Sequence, residues 1–375
     1  MEYNIAIVHD YLTAIGGAEK TVQAMGEMFP TAPVYALLHD RSALGPDFLK
    51  NPIHTSFLRR LPRFMRTRRK LLLPFLAVAP ESFDLREFDV VLASSGAFSK
   101  AVITKPNTIN ICYCHSPMRF AWDYTHQYLR ELNVNRLKGF MGRLALNYLR
   151  VWDAVSADRV DFFIANSHAT AKKIKKYYRR DSEVIYPPVD TGRYAAALKA
   201  KGDDGGYYLI VSRLSSYKKI DIAIEAFNKL GWNLVVVGTG TDMRRLKKLA
   251  GPTVKIVGAQ TPERLESYYA RARGYILPGE EDFGIAAVEA MAAGKPVLAL
   301  RAGGALETVI EGVTGEFFDS PTTEVLAEGA YRLENARKRY DPAAIQDNAQ
   351  KFSKERFQQE LRSFIDKKYE EFRRQ

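Results

Sequence analysis

The chain reads as a two-domain α/β protein with a parallel sheet in each half. Three observations carry that reading. Its 375 residues suit two domains, each large enough for its own core. Short apolar runs of buried parallel-strand type recur in both halves with helical patterns between them, and repeated strand–helix units demand a sheet covered on both faces. At 184–190 an apolar run meets Pro187 and Pro188, a stiff linker that marks a boundary. The expected division is 1–188, 189–355 and a terminal helix at 356–375.

Residues 3–8 form the first apolar run, ending at His9 and Asp10. Gly16 and Gly17 follow, then an amphipathic helix through Met28. Strand, glycine pair and helix is a phosphate-approach arrangement, although a tight turn needing positive φ explains the same glycines. Further strands are expected at 33–38, 89–93 and 108–114. The last leads into His115, Ser116 and Pro117, which places a histidine at a strand's carboxyl end, where open α/β sheets bind ligands. The pattern is helical at 124–155, returns to a strand at 162–165, and is helical again at 169–178. In the second half, strands are expected at 208–211, 234–237, 254–257, 275–277 and 297–300. After Gly315 the chain reads as mainly helical.

Composition narrows the classes. A hydrophobic content of 46% and charged content of 26% fit a soluble globular protein rather than a disordered one. The net charge of +12 favours anionic partners: a nucleotide, nucleic acid or an anionic membrane surface. Residues 1–10 have no basic region leading into a long apolar stretch, and no run of about 18 apolar residues occurs, so neither a secretory signal nor a spanning helix is expected. Cys112 and Cys114 share one strand face and are badly placed for a disulfide. Zinc would need more ligands than nearby His115, so reduced, buried thiols in a cytoplasmic protein are expected.

Residues 57–76 stand apart. Arg59, Arg60, Arg63, Arg66, Arg68, Arg69 and Lys70 are interleaved with Leu58, Leu61, Phe64, Met65, Leu71, Leu72, Leu73, Phe75 and Leu76, with no acid. Such a segment reads as a membrane-surface element, against the alternative of a solvated basic face over an internal apolar stripe.

The chemistry gathers at strand ends of the second half. Leu277 ends a strand, an acidic glycine-containing loop follows, and a helix begins near Gly284; Glu281 and Glu289 stand eight positions apart across that junction. A helix start offers free N–H groups and a positive dipole end to phosphate, while carboxylates suit sugar hydroxyls. Arg213 and Lys218 follow another strand and can neutralise a diphosphate. Gly303 and Gly304 follow a third, where backbone N–H groups can approach phosphates.

Together, Gly16 with Gly17, His115-Ser116-Pro117, Ser212-Arg213-Leu214 with Lys218, Glu281 and Phe283-Gly284 with Glu289, and Gly303 with Gly304 resemble the retaining GT-B glycosyltransferases of family four. The resemblance covers nearly the whole chain, in the expected motif order. The wording around His115, Trp122, Tyr217 and Lys218 is most similar to bacterial mannosyltransferases of surface polysaccharide assembly.

It implies two Rossmann-like domains with parallel sheets facing across a cleft, an acceptor-binding domain at 1–188, a donor domain at 189–355, and a terminal helix packing back on the first domain. It also implies that Arg213 and Lys218 hold the donor diphosphate, Glu289 accepts from ribose, and Glu281 accepts from the donor sugar. Backbone near Phe283 and Gly284 meets the donor, His115 contacts the sugar, and Gly16 and Gly17 admit the phosphate or acceptor. The family commonly has glycine directly after the motif lysine. Here that residue is Lys219, a second candidate anion contact. Gly258 is a candidate for reading the base.

No Asp-x-Asp metal motif sits at a suitable strand end, so no metal or other cofactor is expected. The implied activity is transfer of a hexose, mannose from GDP-mannose, to a lipid-linked or glycan acceptor at the inner face of the cell membrane, without nucleic acid. A sugar-nucleotide epimerase and a non-enzymatic basic peripheral membrane protein are the alternatives.

Overall fold

The computed structural model describes residues 3–45, 48–62, 69–125, 136–200 and 205–374. The chain divides into two units. One runs to Tyr186 and takes back the chain from Phe357 onward; the other is Pro187–Arg356.

The first unit is built on a sheet of seven parallel strands. In chain order these are β1 (Ile5–Leu12), β2 (Val34–His39), β3 (Ile53–Thr55), β4 (Val90–Ser95), β5 (Ile109–Cys114), β6 (Phe162–Ala165) and β7 (Ser182–Val184). Their spatial order is β3-β2-β1-β4-β5-β6-β7, so the winding reverses between β1 and β4. Side chains alternate across the sheet. Ile5 and Ile7 join a core with Val22 and Met25 of the Gly17–Met28 helix. Ala6 and Val8 join the opposite core with Leu37, Val91 and Phe98.

The Lys354–Arg373 helix closes the first of these cores. Phe357, Leu361, Phe364 and Ile365 recur at helical spacing and are buried against β1, β4 and β5. Each such side chain contributes about 1.5–3 kcal/mol relative to exposure. Polar contacts add register: Gln358 donates to the Ala24 carbonyl at 3.0 Å, and the Arg362 guanidinium lies 4.3 Å from the Phe29 ring centre.

A buried ion pair pins the other face. Lys100 donates to Asp153, and both side chains are at most 1% exposed. Trp122 Nε1 and the Tyr178 hydroxyl each donate to the second Asp153 oxygen at 2.8 Å. Both oxygens of this buried carboxylate therefore have hydrogen-bond donors, as withdrawal from water requires. Cys112 and Cys114 are free and buried nearby, and burial pushes the Cys112 thiol far above its ordinary range.

The second unit carries six parallel strands: β8 (Tyr207–Val211), β9 (Leu234–Val237), β10 (Val254–Gly258), β11 (Ala272–Leu277), β12 (Val297–Leu300) and β13 (Gly315–Phe318). Their order is β10-β9-β8-β11-β12-β13, with the reversal between β8 and β11. Two parallel-sheet Rossmann-like domains are thus present.

After the short strand β13 the chain is mainly helical, as expected; a Cβ on Gly315 would sit 1.9 Å from the Val297 carbonyl oxygen, so only glycine allows this edge pairing. The short edge strand β3 was not anticipated. Within 57–76, Leu58, Leu72 and Leu76 are buried in the core beneath β1, β2 and β4, so these leucines hold the fold together and are not available to lipid. Arg59 and Arg60 are exposed, and 63–68, with Arg63, Phe64, Met65, Arg66 and Arg68, lie outside the described residues. Among the described residues no helix is long and apolar enough to cross a membrane.

Candidate active site

In the second unit, the winding reversal opens a crevice beyond the carboxyl ends of β8 and β11, the place where doubly wound sheets bind ligands. Three loops border it, because β8, β11 and β12 are neighbours. The loop after β8 carries Arg213, Lys218 and Lys219, the loop after β11 carries Glu281 to Gly284, and the loop after β12 carries Gly303 and Gly304.

Lys218 Nζ donates to Glu281 Oε1, joining the first loop to the second. The two side chains are 13% and 20% exposed, so the pair is only partly screened by water. Lys218 sits in a single 3-10 turn, Ser216–Lys218, and the α-helix starts later, at Ile220–Leu230. Between them Lys219 adopts φ +54°, the left-handed region that glycine occupies without strain. Arg213 is exposed, and its guanidinium has no hydrogen-bond or ion-pair partner among the described residues. Among the described residues, this loop thus presents Lys218 neutralised by Glu281 and Arg213 with no side-chain partner.

Close backbone packing fixes these loops. A Cβ on Gly279 would meet the Lys218 carbonyl oxygen at 2.8 Å, and one on Gly303 would meet the Glu281 carbonyl oxygen at 2.2 Å. Gly304 N donates to that same Glu281 oxygen at 2.9 Å. The glycine pair thus seats the Glu281 loop by direct backbone contact; this is a structural use that an isolated reading of the two glycines does not reveal. Gly284 has φ +91° and caps the Ile285–Ala292 helix, so the backbone turns into the helix only with glycine there. Phe283 is buried against Phe352, with ring centres 5.4 Å apart, so its side chain anchors the loop while its backbone borders the crevice. Gly258, at the end of β10, accepts from Gly238 N at 2.8 Å and lies two strands from β8.

Glu289 is 4% exposed. The Tyr269 hydroxyl donates to its Oε2 at 2.8 Å, and Tyr194 hydrogen-bonds to the same carboxylate. Burial, reinforced by the Glu289 charge, pushes both phenols far above their ordinary range, so they remain neutral donors. Tyr275, whose hydroxyl donates to the Val211 carbonyl at 3.0 Å, is raised chiefly by burial and further by the charges of both Glu281 and Glu289. The two glutamates therefore border the same buried tyrosine despite lying on a loop and a helix.

The first unit has its own cluster at its winding reversal. His9 on β1 pairs in register with Ser94 on β4. His9 Nδ1 is 3.0 Å from the Ser94 carbonyl oxygen, which can only accept, so Nδ1 carries the proton. The Ser94 hydroxyl is 2.8 Å from His115 Nε2. On the other side, His9 Nε2 lies 3.9 Å from a carboxylate oxygen of Glu19, in the first turn of the Gly17–Met28 helix. Gly16 caps that helix, and a Cβ there would meet Glu19 Oε2 at 2.9 Å. His115, Ser94, His9, Glu19 and Gly16 thus form one continuous polar row.

Asp10 holds the adjoining loop. Its carboxylate accepts from the backbone N–H groups of Gly96, Ala97, Phe98 and Ser99 at 2.7–2.8 Å. The sequence ends the first strand at His9 and Asp10, whereas β1 runs on to Leu12, and nothing in the sequence pairs them with residues 85 or more positions away. Among the described residues no group of three or more His, Cys, Asp or Glu is placed to hold a metal ion.

Comparison with known proteins gives this geometry a class. Residues 15–193 match the description Glycosyltransferase Family 4, and residues 197–352 match Glycosyl transferases group 1. An alpha-1,3/1,6-mannosyltransferase of Dictyostelium discoideum is 24% identical over 89% of this chain and 90% of its own length. A GDP-mannose-dependent alpha-mannosyltransferase of Corynebacterium glutamicum is 33% identical over 37% of this chain and 33% of its own. The match spans about half or less of several other curated relatives, 44% of a D-inositol 3-phosphate glycosyltransferase of Nocardiopsis dassonvillei. Among solved structures, Anabaena HepE in complex with UDP and glucose superposes with a TM-score of 0.69 at 19% identity, over 97% of this chain and all of that one.

The chain thus carries two glycosyltransferase domains in succession on a GT-B fold, its first half matching the family four description and its second half the group 1 description.

Proposed function

We propose that this enzyme transfers a hexose, mannose from GDP-mannose, with retention of configuration to a lipid-linked or glycan acceptor in surface polysaccharide assembly, working at the inner face of the cell membrane. The observation that carries the site assignment is the joining of Lys218 to Glu281 at the β8–β11 reversal, with Arg213 unengaged beside them. The mannosyltransferases among the relatives support the choice of sugar.

Breaking the sugar–phosphate bond develops negative charge on the leaving diphosphate and positive charge on the sugar carbon. Arg213 and Lys218 hold fixed positive charge where the diphosphate charge grows, which lowers the barrier without a metal ion. Glu281 accepts from hydroxyls of the donor sugar, and its contact with Lys218 ties sugar position to phosphate position. Glu289, already oriented by Tyr269 and Tyr194, accepts from the ribose. Free N–H groups at the Gly284 helix start add a positive dipole end. His115, steadied by Ser94, contacts the sugar; the acceptor hydroxyl attacks from the face the phosphate leaves, and its proton passes to the departing diphosphate as the sugar–phosphate bond breaks. Gly16 and Gly17 admit the phosphate or acceptor to the first domain, and Gly258 borders the base.

Calorimetry with GDP, UDP and ADP and their sugar conjugates tests the donor. GDP-mannose should bind preferentially and turn over only with acceptor present. Preference for a UDP conjugate would replace the mannose assignment, and conversion of the donor without acceptor would favour epimerisation.

A further inference from the structure

The Arg136–Ser156 helix carries an apolar stripe that the fold does not use. Phe140, Met141, Leu144, Tyr148, Val151 and Val155 are between 50% and 64% exposed. The opposite side of the same helix is the one packed inward: Leu146 and Leu149 are 4% exposed, and Asp153 is fully buried. From Met141 onward the exposed residues recur at alternating intervals of three and four, the spacing that keeps them on one face. Over 15 intervals at 1.5 Å rise, the stripe is about 22 Å long.

The charge beside the stripe selects its occupant. The helix contains Arg136, Lys138, Arg143 and Arg150 but one acid, Asp153, and that acid is consumed by Lys100 in the interior. Arg143 and Arg150 stand seven residues apart, so one flank of the stripe is basic in a chain of net charge +12. Arg143 is exposed, while Arg150 is partly buried and spends one nitrogen on the Ala121 carbonyl at 3.0 Å. A second copy of this helix would find no exposed carboxylate on it to pair with these arginines. An anionic bilayer supplies both an apolar interior for the stripe and negative head groups for its basic flank.

We propose that the exposed face of the Arg136–Ser156 helix docks the enzyme flat on an anionic lipid surface. This rests on the membrane-face part of the proposed function and moves its contact from 57–76, where Leu58, Leu72 and Leu76 are committed to the core.

Flotation with phosphatidylcholine vesicles, with and without phosphatidylglycerol, tests it on the full chain. The protein should float with the anionic vesicles and be released by salt. Leu144→Glu with Val151→Glu should cut the bound fraction about tenfold at unchanged melting temperature, since both positions face solvent. Nucleotide binding by calorimetry should be the same in both proteins, so a failed donor assignment and a failed docking surface are told apart. Equal flotation of the double variant overturns the proposal. So does loss confined to an Arg59→Glu, Arg60→Glu variant, or a dimer in sedimentation velocity that the helix variant dissolves while neither protein floats.

Discussion

Lys218 Nζ donates to Glu281 Oε1 across the seam between β8 and β11, so the carboxylate at one strand end neutralises the cation at the next. Lys218 also lies 5.0 Å from the Tyr217 ring centre, which confines it to this side of its loop. A diphosphate entering the crevice must share the ammonium group with Glu281. On the proposed donor mode, sugar hydroxyls that donate to Glu281 release part of that charge to the phosphate.

This coupling separates binding from turnover. Glu281→Gln frees the lysine, so affinity for the bare nucleoside diphosphate should rise about fivefold, the equivalent of about 1 kcal/mol for a partly screened pair. Transfer should fall by about a hundredfold or more, because the variant loses a contact made to the reacting sugar. Lys218→Met should lower both. Calorimetry and initial rates on the two variants check this, and unchanged nucleotide affinity in Glu281→Gln would remove Lys218 from the phosphate path.

Lys219 stores backbone strain beside the same lysine. A non-glycine residue in the left-handed region costs about 1–2 kcal/mol, of which glycine returns about 0.5–1 kcal/mol in unfolded-chain entropy. Lys219→Gly should therefore raise the melting temperature by about 1–3 °C. If Lys219 also contacts the anion, the same variant binds the nucleotide more weakly. A lower melting temperature would mean that the Lys219 side chain contributes more than its backbone costs.

Asp10 organises the first unit's winding reversal through four charge-assisted hydrogen bonds. An asparagine there presents one acceptor and turns an NH2 group toward backbone donors. Asp10→Asn should cost about 2–4 kcal/mol, read as a lower urea midpoint. A cost below about 1 kcal/mol would show that the 96–99 loop relaxes without this anchor.

Tyr3 gives the terminal helix an alkaline limit. Its hydroxyl is raised to about 12, first by burial, with an opposing hydrogen bond from Arg362 at 3.4 Å. Its ring centre lies 5.1 Å from that of Tyr369 on the same helix. A phenol raised in the fold above its unfolded value of about 10 stabilises the fold fully below pH 10 or so and loses that contribution as pH rises through the folded value. Stability should decline between pH 10 and about pH 12, and Tyr3→Phe should make that decline shallower in a urea titration series, while Tyr194 and Tyr269, raised as well, keep their own share. An identical alkaline profile in the variant would place the titrating group elsewhere.

Most of the parallel sheets was legible because buried strands of this kind are apolar runs, and the runs read at 3–8, 89–93, 108–114 and 234–237 lie on β1, β4, β5 and β9. The edge strands β3 and β13 were not, because a three- or four-residue pairing on one side needs no such run. The basic, leucine-rich stretch at 57–76 looked like a surface element. Its pattern records only that one face is apolar, and Leu58, Leu72 and Leu76 face inward. On the Arg136–Ser156 helix the same ambiguity resolves the other way, with Phe140 to Val155 outward.

At the site, the residue types that strand ends must carry were readable in order along the chain: Arg213, Lys218, Glu281, the Gly284 helix start and the Gly303–Gly304 loop. Spacing and composition determine these because a local turn and a local charge need only local sequence. Which of them touch was decided by the order of strands. Placing β11 beside β8 brings Lys218 onto Glu281 from 63 positions away, and placing β4 between β1 and β5 threads His9, Ser94 and His115 into one row. Tertiary burial alone commits Glu289 to Tyr269 and Tyr194, since a carboxylate withdrawn from water needs donors and the fold supplies them from two other helices.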